Sequence, residues 1–287
     1  MIQVGRTAPR PLVTIGMPIR NGDPYFERAL ASVLAQDYPN IEVIVSDNGS
    51  TDGTSGILER AVATDPRVRG FRQPEILTAF ENFAWVMRQG RGRYFMWAAH
   101  DDLRPVDYVS RLAEHLESKP EAVLAFGELH VSAEFGEHYR LKAFPFETDG
   151  KGRLARMRKA AGQQCYHIYG LWRADALRRI PFIFNAWWPD LPLMIAAAAI
   201  GPYSRAHGVR FDYLEVRKTN EQRAQYQDNS PRVRRVRRTL ALLRATFQTA
   251  RPVAGTVPAL IATGFVIEKQ FRVAFGLLSE RIRRGDH

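Results

Sequence analysis

The sequence predicts an α/β sandwich of Rossmann type, in which helices flank a mostly parallel central sheet and a helical extension follows at the C-terminus. From Pro11 to about Phe126, short apolar runs alternate with segments of 3.6-residue apolar rhythm, as in strands joined by crossover helices. The runs lack strict alternation of apolar and polar residues, which is typical of parallel strands covered on both faces. From Arg232 onward, arginines surround apolar stripes instead.

The individual elements follow from this rhythm. The predicted strands are Leu12–Met17, Ile41–Ser46, Val68–Phe71, Tyr94–Ala99 and Ala122–Phe126. Shared apolar faces predict three helices, carried by Phe26, Leu30, Val33 and Leu34, by Ile76, Phe80, Phe83 and Met87, and by Val109, Leu112, Ala113 and Leu116. Pro105 suits the first turn of the third helix.

The rhythm stops after Gly127. The polar stretch from there to Gly162 contains several glycines and predicts a hairpin and a mobile loop, which we expect to act as a substrate lid. The next stretch, from Tyr166 to Tyr213, mixes apolar and aromatic residues around Asp190.

Composition limits where the protein can work. The 287 residues contain a single cysteine, Cys165, so no intramolecular disulfide can form and a reducing compartment such as the cytosol is favoured. The N-terminus lacks the apolar segment of a secretory signal. The uncharged stretch Pro252 to Ile267 is too short and too broken by proline and glycine to be read as a membrane span.

In an open parallel sheet, ligands bind outside the carboxyl ends of the strands, so the loops after the strands are informative. The first is MPIRNGDPY, in which Asn21 and Asp23 supply polar groups, although an ordinary turn and helix cap explain it as well. The second is SDNGSTDGT, where Asp47 and Asn48 can bond a nucleobase edge; a glycine-rich turn is an equal alternative.

The third loop, in RYFMWAAHDDLRP, runs from a buried strand into His100, Asp101 and Asp102. Adjacent carboxylates at a strand tip repel each other, so a bound cation is expected to offset their charge. Mg²⁺ and Mn²⁺ accept carboxylate oxygens and complete their shell with water and substrate phosphates. The alternative is a helix N-cap stabilised by the helix dipole.

Taken together, these segments resemble glycosyltransferase family 2, a family of inverting enzymes with the GT-A fold. The resemblance rests on ALASVLAQDYPNIEVIVSDNGSTDGT (29–54), on Phe80–Phe83 and on GRGRYFMWAAHDD (90–102). It implies that 1–228 form a GT-A catalytic domain, with 11–126 binding the nucleotide sugar and 127–228 the acceptor, and that 229–287 form a basic amphipathic extension.

The resemblance also implies roles for single residues. Pro18, Ile19, Arg20 and Asn21 would line the nucleoside pocket, with Asp47 and Asn48 near the base and Asn82 near the ribose or diphosphate. Asp101 would hold ribose and metal, and Asp102 is the preferred direct ligand of a Mn²⁺ or Mg²⁺ ion. HIYGLWRADAL (167–177) resembles the stretch that closes over the donor, with Gly170 allowing close backbone approach and Arg173 facing phosphate. Further candidate phosphate ligands are Arg217, Lys218 and Arg223.

Two departures from the family pattern qualify this reading. Asn48 stands where many members have a second acid, which leaves the base contact open. Ala99 stands where many have an acid two residues before the pair.

The general base is expected in NAWWPDLPLM (185–194), where Asp190 is the only acid; a capping role is the alternative. Trp187 and Trp188 beside it could stack on a sugar or simply pack. The implied reaction moves a sugar from a nucleoside-diphosphate sugar to a glycan, lipid-linked or small-molecule acceptor, with single addition because no convincing QxxRW signature is present. Cell-surface glycan or polysaccharide biosynthesis is the expected setting.

The net charge of +11 is concentrated toward the C-terminus. Predicted helical stripes are Val233, Val236, Leu240, Leu243 and Phe247, then Ile267, Phe271, Ala274, Leu278 and Ile282. Such basic amphipathic helices predict contact of 232–287 with an anionic membrane, at the inner face of the cytoplasmic membrane; packing on the catalytic domain or on a second copy is an equal alternative.

Two other functions remain alternatives. A nucleotidyltransferase or sugar-nucleotide pyrophosphorylase would need a Gly-rich basic loop after the first strand, which MPIRNGDPY does not supply. A basic nucleic-acid-binding protein would fit the pI near 10.1. However, the arginines lie outside the sheet region and no known module is visible, so no nucleic-acid partner is expected.

Overall fold

The computed structural model describes residues 10–133, 138–139, 146–162, 165–182, 188–215 and 233–284. Its strands are β1 (Val13–Ile19), β2 (Ile41–Asp47), β3 (Val68–Arg72), β4 (Tyr94–Trp97), β5 (Leu124–Ala133), β6 (His138–Tyr139), β7 (Leu171–Arg173) and β8 (Tyr203–Glu215). Its helices are α1 (Phe26–Leu34), α2 (Thr54–Thr64), α3 (Ala79–Gln89), α4 (Tyr108–Ser118), α5 (Arg153–Gly162), α6 (Ala174–Arg178), α7 (Asp190–Ile200), α8 (Val233–Ala254) and α9 (Thr256–Arg284), with a 3₁₀ helix at Cys165–Tyr169.

One sheet carries all of these strands in the order β3-β2-β1-β4-β7-β5-β6, with β8 beside β5. The first four strands are mutually parallel, and β7 runs antiparallel to β4 and β5. The register pairs Ile19 with Asp47 and Asp47 with Arg72, so the carboxyl ends of β1, β2 and β3 are level. The predicted fold class is confirmed, including helices at the C-terminus.

The sheet separates two apolar cores. One is formed with α1, α2 and α4, through residues such as Phe26, Leu58 and Leu112. The other is formed with α3 and with all helices from α5 onward. Helix α7 lies inside this second core with Leu191 to Ala199 buried, because α5 and α8 both pack on it.

Several predicted details differ from the structure. Ile76 lies before α3 and is 59% exposed, because the capping box of Thr78 and Glu81 starts the helix later. Pro105 lies three residues before α4, not in its first turn, and its carbonyl accepts the Tyr108 N–H (3.1 Å).

The segment predicted as hairpin and loop contains both a hairpin and a helix. Strands β5 and β6 pair antiparallel, with Val131 opposite Tyr139. Residues Arg153–Gly162, however, form α5, whose Met157, Ala160 and Ala161 are buried against α7. Arg156 ties the two helices, since its Nε donates to the Ala198 carbonyl (2.8 Å) near the C-terminal end of α7.

The face through which the C-terminal helices pack on the rest of the protein overlaps the predicted stripe only in part. Leu243 and Phe247 of that stripe are partly buried against the core, whereas Leu240 is 60% exposed. Leu242, Ala245, Thr246 and Thr249, which lie outside the stripe, are buried. Helix α8 packs on α7, and α9 packs on α5 and α8. Of the second stripe, Ile267 is 38% exposed, and the other side chains lie outside the described part. No helix within that part combines the length and apolarity needed to cross a bilayer.

Candidate functional site

The carboxyl ends of β1 to β4 form one edge of the sheet, which we call the donor edge (18–23, 47–55, 72 and 98–104). Because these strands are parallel, the loops that follow them meet there.

The acid pair stands at this edge, directly after β4. Asp101 is partly buried and Asp102 is fully buried. Burial first, and then the charges of Asp102 and Asp101, raise the pKa of the Tyr213 hydroxyl above its ordinary value. The two carboxylates therefore concentrate negative charge at the end of β4.

Arg104 is a buried cation beside the pair that the sequence interpretation missed. It is 4% exposed, its Nη2 donates to the Trp97 carbonyl (3.1 Å), and its guanidinium carbon lies 5.1 Å from the centre of the Phe211 ring. Its Nε and Nη1 have no hydrogen-bond partner among the described residues. Its position two residues after Asp102 was the only sequence signal for it. Arginines are usually on the surface, so burial of this one was not predicted.

A divalent metal fits the chemistry of the acid pair. Two carboxylates supply the hard oxygen ligands that Mg²⁺ and Mn²⁺ prefer. Within the described ranges, no group of three or more His, Cys, Asp or Glu side chains is placed to hold an ion. Water and phosphate oxygens usually complete the shell of such an ion.

At the end of β2, the buried Asp47 carboxylate is fully engaged. Its Oδ1 accepts from the Ser50 N–H (2.8 Å), and its Oδ2 accepts from Ser55 Oγ (2.8 Å) and Arg72 Nη1 (2.9 Å). Arg72 also donates to the Ser50 carbonyl (3.1 Å). The ion pair with Arg72 fixes the loop between β2 and α2, and sequence reasoning missed this arginine.

Asn48 is buried next to Asp47 and has a physical reason to be an amide. Its Nδ2 donates to the Leu77 carbonyl and its Oδ1 accepts the Leu77 N–H, both at 2.8 Å. An ionised acid could make only the second of these bonds, because it has no proton to donate. The Asn48 amide, which stands in place of a second acid, therefore fixes the segment before α3 through these two hydrogen bonds.

The loop after β1 is tied to the loop after β2. Pro18 and Ile19 are buried, and the Ile19 carbonyl accepts the Asn48 N–H (2.8 Å). Asn21 has a positive φ of 53°. Its N–H donates to Ser50 Oγ (2.9 Å) and its Oδ1 accepts the Thr51 N–H (2.9 Å). Asn21 thus joins the two loops.

Arg20 is the group at this tip with an unused donor. The residue is partly buried, and its Nε is buried with no hydrogen-bond partner in the described part of the chain.

Two further predicted residues, Asn82 and Gly170, have structural roles. Asn82 is buried, with Oδ1 accepting from Ser46 Oγ (2.5 Å) and Nδ2 donating to the Ser46 carbonyl (3.2 Å), so it pins α3 to β2. Gly170 lies at the start of β7, where an added Cβ would stand 2.4 Å from the Ala125 carbonyl oxygen. Gly170 therefore allows a close backbone approach, and the neighbour that comes close is β5.

The structure does not bring Arg173 to the donor edge. Arg173 pairs with Tyr94, at the amino end of β4, because β7 is antiparallel. Its guanidinium donates to the carbonyls of Ala122 (2.8 Å) and Leu116 (2.7 Å), which caps the end of α4. Facing phosphate is therefore a wrong prediction for this residue. Arg217, Lys218, Arg223 and Trp187 lie outside the described residues.

Asp190 begins α7 and lines a small, mainly apolar pocket. Burial raises the pKa of its carboxyl to about 7. The other lining residues of this Asp190 pocket are Phe80, Phe83, Trp97, Ile168, Pro181, Phe182, Pro189, Leu193 and Thr249. Trp188 lies beside it, with Lys269 Nζ 4.4 Å from its ring centre.

Tyr169 links the pocket with the surroundings of the acid pair. Its ring centre is 6.5 Å from that of Phe83, which lines the pocket, and 6.0 Å from that of Phe211, over which Arg104 lies. Burial first, and then the charges of Asp102, Tyr213, Asp190 and Asp101, raise the pKa of the Tyr169 hydroxyl. Trp97 makes a second link, since it ends β4 and also lines the pocket.

Known proteins resemble the chain at both sequence and structure level. The Glycosyl transferase family 2 model matches residues 14–180. An uncharacterized glycosyltransferase of Rickettsia bellii is 39% identical over 106 residues, which are 37% of this chain and 14% of that protein. One of Rickettsia typhi is 33% identical over 122 residues, or 42% and 37% of the respective chains. The matched part is thus well under half the length of these relatives.

Solved structures share the fold. Residues 1–349 of S. aureus TarS, in complex with UDP-GlcNAc, align with a TM-score of 0.62 at 14% identity, over 81% of this chain and 65% of that one. A mannosyltransferase from Pyrobaculum calidifontis, in complex with GDP-Man and Mn²⁺, aligns with a TM-score of 0.55 at 20% identity, over 98% and 84%.

Proposed function

Because the chain belongs to glycosyltransferase family 2, we propose that it transfers a sugar from a nucleoside-diphosphate sugar to an acceptor hydroxyl, with inversion at the anomeric carbon. One observation carries this proposal. An acid pair stands at the carboxyl ends of parallel strands, and a separate buried carboxyl group of pKa about 7 lines a pocket that shares Trp97, the last residue of β4, with that end of the sheet. The family match counts against the two alternatives, a nucleotidyltransferase and a nucleic-acid-binding protein.

The donor would bind at the donor edge. Pro18, Ile19 and Arg20 line its first strand tip, and the free Arg20 Nε supplies a hydrogen-bond donor for it. Asp47 and Asn48 shape the base site through loops that they hold in place. The observed duties of Asn21, Asn82 and Gly170 support positioning roles in place of direct donor contacts.

Asp101 and Asp102 would hold a Mn²⁺ or Mg²⁺ ion. Asp101 is the more accessible of the two, so an ion entering from solvent reaches it first. When bound, such an ion offsets the negative charge that builds on a departing diphosphate.

Asp190 would act as the general base on the acceptor hydroxyl. A base works best with a pKa near the operating pH, and burial holds the pKa of Asp190 at about 7. In the alternative, Asp190 stabilises the N-terminal end of α7, because it is the acidic residue of the first turn of that helix.

Peripheral membrane contact is part of the proposal. Sugar transfer would then take place at the inner face of the cytoplasmic membrane, in cell-surface glycan or polysaccharide synthesis. The start of α9 exposes large apolar side chains at helical spacing: Val257, Leu260, Ile261 and Ile267. Arg237, Arg244 and Arg251 of α8 are exposed as well. Each basic residue near an anionic surface contributes about 1 kcal/mol. Association with a second copy through the same helices is the alternative.

Vesicle flotation tests the membrane part. We expect the protein to float with vesicles rich in phosphatidylserine at low salt but not with neutral ones, and Leu260→Ser to float less. Equal behaviour with both vesicle types would contradict membrane contact, and a dimer in sedimentation experiments would favour the second copy.

The transferase proposal is tested by incubating the protein with UDP- and GDP-sugars and either metal. Release of nucleoside diphosphate together with a product of inverted anomeric configuration, assigned by NMR, is the expected result. Retention of configuration would overturn inversion. No nucleotide release from any donor would overturn the transferase assignment.

A further inference from the structure

Among the described residues, the Asp190 pocket offers very few polar groups. Eight of the ten described lining residues are apolar or aromatic. The indole N–H of Trp97 is already used, since it donates to the Phe83 carbonyl (2.9 Å). The side chains left with polar atoms are those of Asp190 and Thr249.

Thr249 is a buried threonine of α8 whose hydroxyl is unused. The residue is 2% exposed, and its Oγ1 has no hydrogen-bond partner in the described part of the chain. Thr246 on the same helix and Thr263 on α9 instead donate to the carbonyls of Leu242 (2.8 Å) and Ala259 (2.9 Å), each one turn earlier. Buried hydroxyls normally form a hydrogen bond, so we expect a molecule in the pocket to supply the partner of the Thr249 hydroxyl.

We infer that the acceptor is an alcohol carried on an apolar aliphatic or aromatic body, and that its hydroxyl binds between Asp190 and Thr249. The inference rests on the proposed transferase function and adds the acceptor class and a residue of α8. A sugar ring with neighbouring hydroxyls would leave them unpaired against Phe83, Trp97 and Leu193, which is costly. An apolar body loses nothing there and gains from leaving water.

The resulting step balances. The acceptor oxygen forms a bond to the anomeric carbon, while the bond between that carbon and the diphosphate oxygen breaks and its electron pair leaves with the nucleoside diphosphate. The hydroxyl proton passes to the Asp190 carboxylate, which later returns it to water. Thr249 binds the acceptor oxygen and takes no proton.

Cyclohexanol and myo-inositol make a matched pair of probes, because both have a six-carbon ring but one or six hydroxyls. Binding to the full chain, in the presence of Mg²⁺ and nucleoside diphosphate, is measured by saturation-transfer NMR. We expect cyclohexanol to bind at least about 10-fold more tightly than myo-inositol, since unpaired hydroxyls are rejected strongly. Equal binding, preference for inositol or no binding of cyclohexanol would overturn the acceptor class.

Variants of Thr249 test the hydroxyl itself. Thr249→Val keeps the shape and should weaken cyclohexanol binding by roughly 5-fold, the value of one neutral hydrogen bond. Thr249→Ser should retain binding, and Thr246→Val, a matched change on the same helix, should leave it unchanged. Unaltered binding in Thr249→Val would mean that water satisfies this hydroxyl and would remove its role.

Nucleotide binding separates the two levels of the proposal. If wild-type protein binds no nucleoside diphosphate under these conditions, the transferase function fails. If nucleotide binds but cyclohexanol does not, the transferase function stands and the acceptor class is wrong.

Discussion

The donor edge and the Asp190 pocket treat their polar side chains in opposite ways. At the donor edge, Asp47, Asn48 and Asn21 are bonded to neighbouring loops, and every contact fixes the shape of the edge. In the pocket, Asp190 and Thr249 are surrounded by apolar groups, and the Thr249 hydroxyl has no described partner.

This difference indicates that the donor edge is a rigid binding surface and that the Asp190 pocket is the reactive region. Hydrogen bonds among loops pre-organise a binding surface, whereas burial without a charged partner raises the pKa of a carboxyl group and prepares it to accept a proton. We therefore expect substitutions at the donor edge to change stability and donor affinity, and substitutions in the pocket to change the rate of transfer.

The largest expected effect comes from Asp190→Asn, which removes the base but keeps the shape. Transfer should fall on the order of 10²–10⁴-fold, the usual contribution of a general base. Nucleotide affinity should stay within about 2-fold, because the change is outside the donor edge. Steady-state kinetics and calorimetric titration make the measurement.

The matched control is Asp175→Asn, an exposed acid in the first turn of α6. It should transfer sugar at the wild-type rate. Near-normal transfer by Asp190→Asn would remove this residue as the base and leave it as a helix cap.

Asp47→Asn should have the next largest effect, on stability. The change removes a buried charge that accepts from Ser55 and Arg72, and a hydrogen bond to a charged group contributes about 1.5–3 kcal/mol. Urea denaturation should show a loss of that size in the free energy of unfolding.

Asp65→Asn provides the comparison for Asp47→Asn, since the Asp65 side chain is 19% exposed against 1% for Asp47, and its ion pair with Arg67 (2.7 Å) lies at the other end of β3. Its cost should be about 0–1 kcal/mol. Equal losses for the two variants would contradict the view that the Asp47 network organises the donor edge.

The smallest expected effect is a pH dependence of the rate. The base must be ionised, and the pKa of Asp190 is about 7, so kcat/KM should level off above pH 8 and fall about 10-fold for each unit below about 7. A fall in kcat/KM centred near pH 4 instead would mean that the Asp190 carboxyl is not desolvated in the active enzyme.

Much of the fold was predictable because periodicity reports it directly. Parallel strands buried on both faces appear as continuous apolar runs, and the observed β1 and β2 extend only one or two residues beyond their predicted ends. Helix α5 was missed because its sequence, RLARMRKAAG, contains four basic residues and has only a short apolar face.

The site was predictable where it is contiguous in sequence. The acid pair follows a strand and could be found from that alone. Arg104 was missed because the burial of an arginine depends on the fold around it. Arg72 was missed because its ion pair with Asp47 forms only when β2 and β3 lie side by side. Arg173 was misplaced because no sequence pattern showed that β7 runs antiparallel to β4. The Asp190 pocket combines α3, β4, α7 and α8, which no local motif can show.

Titration of nucleoside diphosphates with and without Mn²⁺ tests the account most directly. Wild-type protein should bind a nucleoside diphosphate at least about 10-fold more tightly with the metal. Asp101→Asn and Asp102→Asn should lose that gain, while Asp107→Asn, a surface change nearby, should keep it. Binding that ignores the metal, or that keeps its metal dependence in both acid-pair variants, would contradict the central claim that these two carboxylates hold the ion for the donor diphosphate.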